Sequence, residues 1–448
     1  MEQSSAFFKQ RIEYFSDSFL EDLARQHKFV QRTSILKAHH FVDLLMFAGK
    51  PANELSLEDL VNDFSEQHGL SISKQALQER FNESAVAFMS SLVKDQLSRQ
   101  LPVVEKTNTY CHFNRLRVKD STRYTVPKEY ASVYKGQGGI GTSAQISIQY
   151  EYDLFSGAPI ALELTSACRN DQQDSKETLD DIQKGDLLMR DLAYTSKGYI
   201  KHVDQVGAYY LNRLNSSWNI YDKYGIDVSL ARIQNRLKKY NLPYVEVKAY
   251  LEIDKRYLPT RLIVSRASDR TYKKRIEKAQ IAAKSKGYAV SKRFKTCAAL
   301  NLFITNIPKA WLGTSQIKKT YRLRWQVELT FKLWKSQAGI NKIKAMKVER
   351  FQCQLLARFL WILLHGQMLR IIQRHFDRKL PGKNFKCSIC KFYKVAFRLS
   401  GMLRQALLGN QPISNWLSKI FHNAEKKLIT ETKKGRPSTQ EILSNLLG

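Results

Sequence analysis

Cysteine is scarce in this 448-residue chain: there are six, at positions 111, 168, 297, 353, 387 and 390. That is too few, and too irregularly spaced, for a disulfide scaffold. Cys387 and Cys390 form a single C-x-x-C, but a structural zinc needs four ligands and no second pair exists. Two ordinary thiols are the expectation there. An uninterrupted apolar run of the roughly 20 residues that span a bilayer is also missing. The most apolar stretch, LLARFLWILLHGQMLRII (355–372), is broken by Arg358, His365 and Arg370 and reads as a buried helix. The opening residues MEQSSAFFKQRIEYF are charged throughout and lack the apolar centre of a signal peptide. Internal repeats and long low-complexity runs are absent as well. A soluble, intracellular, mostly globular protein is expected, and its length allows two to four domains.

Acidic residues are in short supply too, but unevenly. The chain has 73 Lys and Arg against 41 Asp and Glu, a net charge of +32. The first 100 residues hold 11 Lys/Arg and 14 Asp/Glu, so the whole surplus lies beyond them. A ribosomal-type or membrane-surface protein could carry such a surplus, but a nucleic-acid partner explains it most simply, through phosphate neutralisation.

Residues 1–105 read as a helical N-terminal domain. Apolar residues at three-and-four spacing follow Ser56, a capping residue, and stop at Gly69; Ser73 is placed to cap a second helix. The pair resembles a helix-turn-helix that could bind DNA, although any small helical bundle has such joints. From residue 113 the period changes to two. In FNRLRVKDSTRYTV, Leu116, Val118 and Asp120 share one strand face, and Arg115, Arg117 and Lys119 share the other. A hairpin around Phe155-Ser156-Gly157 follows, then a short helix, an apolar strand running into Asp191, a helix and a strand. Three strands, helix, strand, helix, strand is the order of an α/β fold with a mixed sheet. A β-rich insertion at about 216–300 ends in a basic arm, 270–295, with ten Lys/Arg and one Glu. Residues 106–345 are taken as the catalytic domain and 346–448 as a helical, basic C-terminal region. Near its end, KKGRPSTQ reads as a flexible basic segment.

The stretch YRLRWQVELTFKLWK (321–335) carries chemistry-bearing residues at helical spacing. At about 100° per residue, Tyr321, Arg324, Glu328 and Lys335 project within roughly 60° of one another. Cations and a phenol beside one carboxylate suit a phosphodiester. An ordinary Arg324–Glu328 ion pair, contributing about 0.3–0.5 kcal/mol, would look the same. Asp120 and Asp191 stand at strand ends, where open α/β sheets carry active sites, although such aspartates also begin turns. Three carboxylates could hold two divalent cations about 4 Å apart, and Mg²⁺ suits such hard oxygen donors.

Taken together, Tyr321-x2-Arg324-x3-Glu328-x6-Lys335, DSTRYTVP around Asp120 and RDLAYTS around Asp191 resemble the signatures of the DDE transposases of the IS-four family of bacterial insertion sequences. The resemblance covers about 110–345 and implies an RNase H-like core. It implies Asp120, Asp191 and Glu328 as catalytic, metal-holding residues, with two Mg²⁺ ions (Mn²⁺ as an alternative). It implies Tyr321, Arg324 and Lys335 as contacts to DNA phosphate. It further implies cleavage at transposon ends, strand transfer into target double-stranded DNA, binding of terminal inverted repeats, a homodimer in the DNA complex, and a cytoplasmic, nucleoid-associated location with no membrane partner. Ala193 stands where the family often has glycine. The tryptophan that stacks on a flipped base in some relatives has no assigned counterpart, Trp218 and Trp311 being the candidates. A non-catalytic DNA-binding derivative, or an RNase H-like nuclease without strand transfer, are the alternatives.

Overall fold

The computed structural model of the chain describes residues 14–48, 50, 54–98, 112–137, 144–285, 287–379, 387–429, 442–443 and 446. The KKGRPSTQ segment lies outside them. In the N-terminal region, local capping sets the helix limits. Helices α1 (Asp17–Gln26) and α2 (Ala38–Met46) come first. In α3 (Leu57–His68), the Ser56 hydroxyl accepts from the Asp59 N–H while the Asp59 carboxylate accepts from the Ser56 N–H. Gly69 ends α3 in the left-handed conformation that glycine adopts without strain. Ser73 caps α4 (Lys74–Arg80). The second helix expected after Ser73 is two: the backbone turns extended at Phe81 and a new helix, α5 (Glu83–Ser98), begins. Asn82 caps it by accepting from the Ala85 N–H at 3.0 Å.

Strands β1 (Arg115–Thr125), β2 (Gln145–Asp153) and β3 (Pro159–Ser166) form an antiparallel meander. The chain then passes through α6 (Asp171–Glu177), β4 (Asp186–Arg190), α7 (Lys197–Gln205) and β5 (Tyr209–Arg213). Both β4 and β5 run parallel to β1, in the order β3-β2-β1-β4-β5. This is the mixed α/β, RNase H-like order expected from the sequence.

The insertion contributes β6 (Ile220–Tyr221), α8 (Leu230–Lys239), β7 (Val245–Ile253) and β8 (Arg256–Arg266). The basic stretch after β8, read from sequence as an arm, contains two helices, α9 (Asp269–Ser285) and α10 (Lys292–Ala298). Arg275 anchors them by donating to the carbonyls of Ala298 (3.0 Å) and Leu300 (2.8 Å). Strand β9 (Leu300–Thr305) then pairs with both β5 and β8, so the core and the insertion share one nine-stranded sheet.

After β9 come α11 (Thr314–Tyr321), α12 (Trp325–Leu333), α13 (Val348–Lys379), α14 (Ile389–Arg398), α15 (Ser400–Leu407) and α16 (Ile413–Lys427). Val348–Arg378 is long and apolar enough to cross a membrane, but 78% of its apolar window is buried inside the protein. It packs against α2 and α5, and a single apolar cluster runs from Tyr14 to Leu446. Arg350 donates to the Leu55 carbonyl (2.9 Å) and Arg358 to that of Ala48 (3.3 Å). Arg404 grips Asp43 (2.5 Å) and Asp63 (2.9 Å). Of the C-x-x-C pair, Cys387 is buried and Cys390 exposed, and both are free thiols.

His365 on α13 is fully buried, stacked on Trp361 at 3.9 Å, with Nδ1 donating to the Trp361 carbonyl at 2.8 Å. Burial pushes its imidazole down from 6.5 to about 4. The unfolded chain therefore binds a proton that the folded chain refuses between those values. Stability is complete above the unfolded value and drains away as pH falls toward the folded one. His365→Phe keeps the stacking and removes the titration. Chemical denaturation at pH 7 and pH 4 is expected to show an acid-induced loss smaller in the variant by up to about 3 kcal/mol; parallel losses would refute this.

Candidate active site

The two aspartates are brought together by strand register. In the parallel β1–β4 pair, Lys119 stands opposite Arg190, and one residue further along both strands stand Asp120 and Asp191. Neighbouring strands lie about 4.8 Å apart, so the carboxylates leave the sheet at one level, Asp191 from the end of β4 but Asp120 from the middle of β1, which runs on to Thr125 beside β2 rather than ending there as the sequence pattern suggested. They also leave on one face. Leu116 and Val118 on β1, and Leu187 and Met189 on β4, belong to the same apolar cluster as the helices that follow β9. Asp120 and Asp191 continue those two rows. Asp191 then starts a short 3-10 turn, Leu192–Tyr194, and its carbonyl accepts from the Tyr194 N–H (3.0 Å) and the Thr195 hydroxyl (3.0 Å).

The third carboxylate comes from α12, which packs on β1. Arg324 is the link: Nη1 lies 2.9 Å from Asp120 Oδ2 and Nη2 lies 2.6 Å from Glu328 Oε1. The Arg324–Glu328 pair anticipated from the sequence is therefore present, and the same guanidinium also reaches a strand 204 positions away in sequence. Burial pushes the Asp120 carboxyl up to about 6; Arg324 and the Ser121 N–H pull it down, while Asp191 and Glu328 push it further up. The Tyr321 hydroxyl donates to the Arg190 carbonyl at 3.3 Å and so pins the end of α11 to the end of β4. Burial lifts its phenol to about 12.

Lys335 lies further along the same side, over Tyr124. The segment is not one α-helix: a 3-10 turn (Arg322–Arg324) separates α11 from α12, and a π-turn (Trp334–Ala338) ends α12. The extra residue in the π-turn rotates the side chains beyond α12 away from the ideal helical register. Lys335 Nζ sits 5.8 Å from the ring of Tyr124, four residues beyond Asp120 on β1 and roughly 13 Å along the strand. Among the described residues, no ion pair or hydrogen bond joins it to the three carboxylates. Burial lowers its ammonium pKa. Trp311 is stacked on His112 (4.2 Å), and Trp218 packs against the apolar core of the insertion. Trp325, at the start of α12, is 49% exposed.

The opposite face of the same strands holds charges that the sequence pattern did not identify as buried. Arg117, Lys119 and Arg190 are each 1% exposed or less, with Glu151, Asp174 and Asp186 among them. Lys119 stands directly opposite Glu151 across β1 and β2. Distances are 2.7 Å for Arg117–Glu151, 3.2 Å for Arg117–Asp186, 2.5 Å for Lys119–Asp174 and 3.6 Å for Arg190–Glu151. Burial raises the Glu151 carboxyl, but Arg117, Arg190 and Lys119 outweigh it and hold the group below the usual carboxylate range. An alternating charged face normally reads as solvent-exposed. The distinguishing signal was that β2, the strand paired with Arg117 and Lys119, carries Glu151 and Asp153 at matching positions.

Asp120, Asp191 and Glu328 offer hard oxygen donors that suit a divalent ion such as Mg²⁺. Burial is the main reason the Asp120 carboxyl is raised, and the nearby Asp191 and Glu328 add to it. Among the described residues, no three His, Cys, Asp or Glu side chains stand close enough to form a ready metal cage. Arg324 lies between two of these three.

Residues 112–364 match the family model described as a transposase DDE domain. The transposase for insertion sequence element IS231F of Bacillus thuringiensis subsp. israelensis is 30% identical over 443 residues, covering 94% of this chain and 91% of that protein. The IS231E transposase of Bacillus thuringiensis subsp. finitimus is 31% identical over 444 residues, with 94% and 91% covered. The IS1151 transposase of Clostridium perfringens is 29% identical over 454 residues, with 96% and 94% covered.

Proposed function

The chain belongs to the DDE transposase family of insertion sequences, and from that premise we propose that it cuts DNA at the ends of its own element and joins the freed 3′-hydroxyl to target DNA, with Asp120, Asp191 and Glu328 as its catalytic carboxylates. The observation that carries this reading is the β1–β4 register, which sets Asp120 beside Asp191 beneath the helix bearing Glu328. Two divalent ions, Mg²⁺ or Mn²⁺, held by these three residues would favour ionisation of the attacking water or 3′-hydroxyl and stabilise the leaving oxygen. The protein's own share is positioning. The sheet fixes two carboxylates, α12 supplies the third, and Tyr321 ties the helix to β4. Arg324, freed from its carboxylates, presents a planar fork to a phosphate. Lys335 offers a second cation further along the same side, toward the strand that continues from Asp120.

The helical region up to residue 105 is assigned to reading the terminal inverted repeats, residues 106–345 to catalysis, with the insertion at about 216–300, and the basic region 346–448 to backbone contacts. Two copies would bring two ends together as a homodimer on DNA.

DNA carrying the element's own ends should be nicked and joined in the presence of Mg²⁺. Retention of that DNA without cleavage under any divalent ion would overturn the reading in favour of a binding-only protein. The phosphate contacts have a separate test. Arg324→Ala and Lys335→Ala are each expected to lower the slope of log affinity against log salt for end binding by about 1. An unchanged slope would remove that residue from the phosphate-binding set.

A further inference from the structure

We propose that Arg324 is a latch coupling metal loading to DNA: its guanidinium occupies Asp120 and Glu328 until a DNA phosphate draws it off, and only then do those carboxylates take divalent ions. The inference rests on the reading of Asp120 and Glu328 as metal-holding residues and adds an order of events to it.

Three carboxylate oxygens at the site are already engaged. Asp120 Oδ2 accepts from Arg324 Nη1 at 2.9 Å, Asp120 Oδ1 from the Ser121 N–H at 2.9 Å, and Glu328 Oε1 from Arg324 Nη2 at 2.6 Å. Lone pairs committed to a guanidinium are not open to a metal, and a dication brought beside that guanidinium is repelled by it. The contacts are not those of a solvent-screened surface pair, since the side chains are only 13% (Arg324), 19% (Asp120) and 28% (Glu328) exposed. They compete with an incoming ion accordingly.

Release follows from the shape of the same group. Arg324 makes one hydrogen bond to each of two carboxylates, and two parallel bonds to one phosphate are the geometry its fork fits best. Arg324 sits in the short turn between α11 and α12. Departure of one positive charge exposes two negative groups at the moment a phosphate arrives. Phosphate and metal therefore assist each other's binding, and the coupling is reciprocal.

The test is Mn²⁺ binding to the full chain, followed by calorimetry and by loss of the free Mn²⁺ paramagnetic resonance signal, with no cleavage measured. Without DNA, Arg324→Ala is expected to bind Mn²⁺ about tenfold or more tightly than wild type. Arg324→Lys, which keeps the charge and loses the fork, should fall between them and also reports on folding. A duplex carrying the element's terminal repeat should tighten Mn²⁺ binding to wild type but not to Arg324→Ala. If Arg324→Ala binds no more tightly than wild type while Asp120→Asn abolishes binding, the latch is wrong and the metal site stands. If Asp120→Asn leaves Mn²⁺ binding unchanged, the metal site itself is wrong and the latch falls with it.

Discussion

Replacing Glu328 by alanine is expected to reduce end cleavage and strand transfer by on the order of 10³-fold or more, about 4 kcal/mol of transition-state stabilisation, while end binding changes little. Removing one of three carboxylates takes away ligand charge that the proposed metal pair needs during phosphoryl transfer. The fold should tolerate the change. Glu328 is 28% exposed, lies on a regular α-helix, and is paired in the structure with Arg324 at i, i+4. Arg324 keeps its second partner, Asp120, when Glu328 is truncated, and alanine is the best helix former. Loss of activity can therefore be separated from loss of structure by comparing thermal melts and end binding of the two proteins. Strand transfer at the wild-type rate would remove Glu328 from the catalytic set.

Glu151→Ala should produce the largest change in stability, about 3–5 kcal/mol by chemical denaturation. Its carboxylate is surrounded by Arg117 at 2.7 Å, Arg190 at 3.6 Å and Lys119 at 3.9 Å, all buried. Truncation leaves those cations partly unneutralised in a place water does not reach. The exposed pair Lys74–Glu58, 3.3 Å apart, is the natural control: Glu58→Ala should cost less than about 0.5 kcal/mol. A loss below about 1 kcal/mol for Glu151→Ala would show that the network carries little of the fold's stability. The sign of the pH effect is fixed by the depressed carboxyl. The contribution is whole above the unfolded value of about 4.3 and is lost only as pH falls toward the lower folded value. At neutral pH the mutational cost should appear in full. Lys119 and Arg190 immediately precede Asp120 and Asp191, so the network also anchors the stretches of β1 and β4 from which the candidate catalytic groups project.

The sequence disclosed what local rules decide. Ser56 with Asp59, and Gly69, marked the limits of α3 because capping is a short-range bond. The row Leu116, Val118, Asp120 identified a carboxylate ending an apolar face, and the family signatures pointed to its companions. The arrangement of Arg324 was only half legible. Helical spacing revealed the contact with Glu328, but the contact with Asp120 depends on how α12 packs across β1, which no local pattern encodes. The local form of the segment was not legible either: an ideal 100° step cannot foresee a 3-10 turn and a π-turn within it. The burial of Arg117 and Lys119 was not legible because alternation along one strand is blind to compensating acids on the next. The stretch 270–295 looked like an arm because its charge obscured helices that Arg275 pins to carbonyls of α10 and β9.

The packing of α13 against α2 and α5 has a consequence for how the protein is made. Helices α2 and α5 are synthesised before the helix that covers them, which begins at Val348, some 250 residues after Ser98. At roughly 5–20 residues per second, about 10–50 s of translation separate the two events. During that interval α2 and α5, which carry the fully buried Phe41, Leu44, Phe88 and Leu92 of the finished protein, lack α13 as a packing partner. The enclosure of α2 and α5 is therefore completed only once α13 has been made.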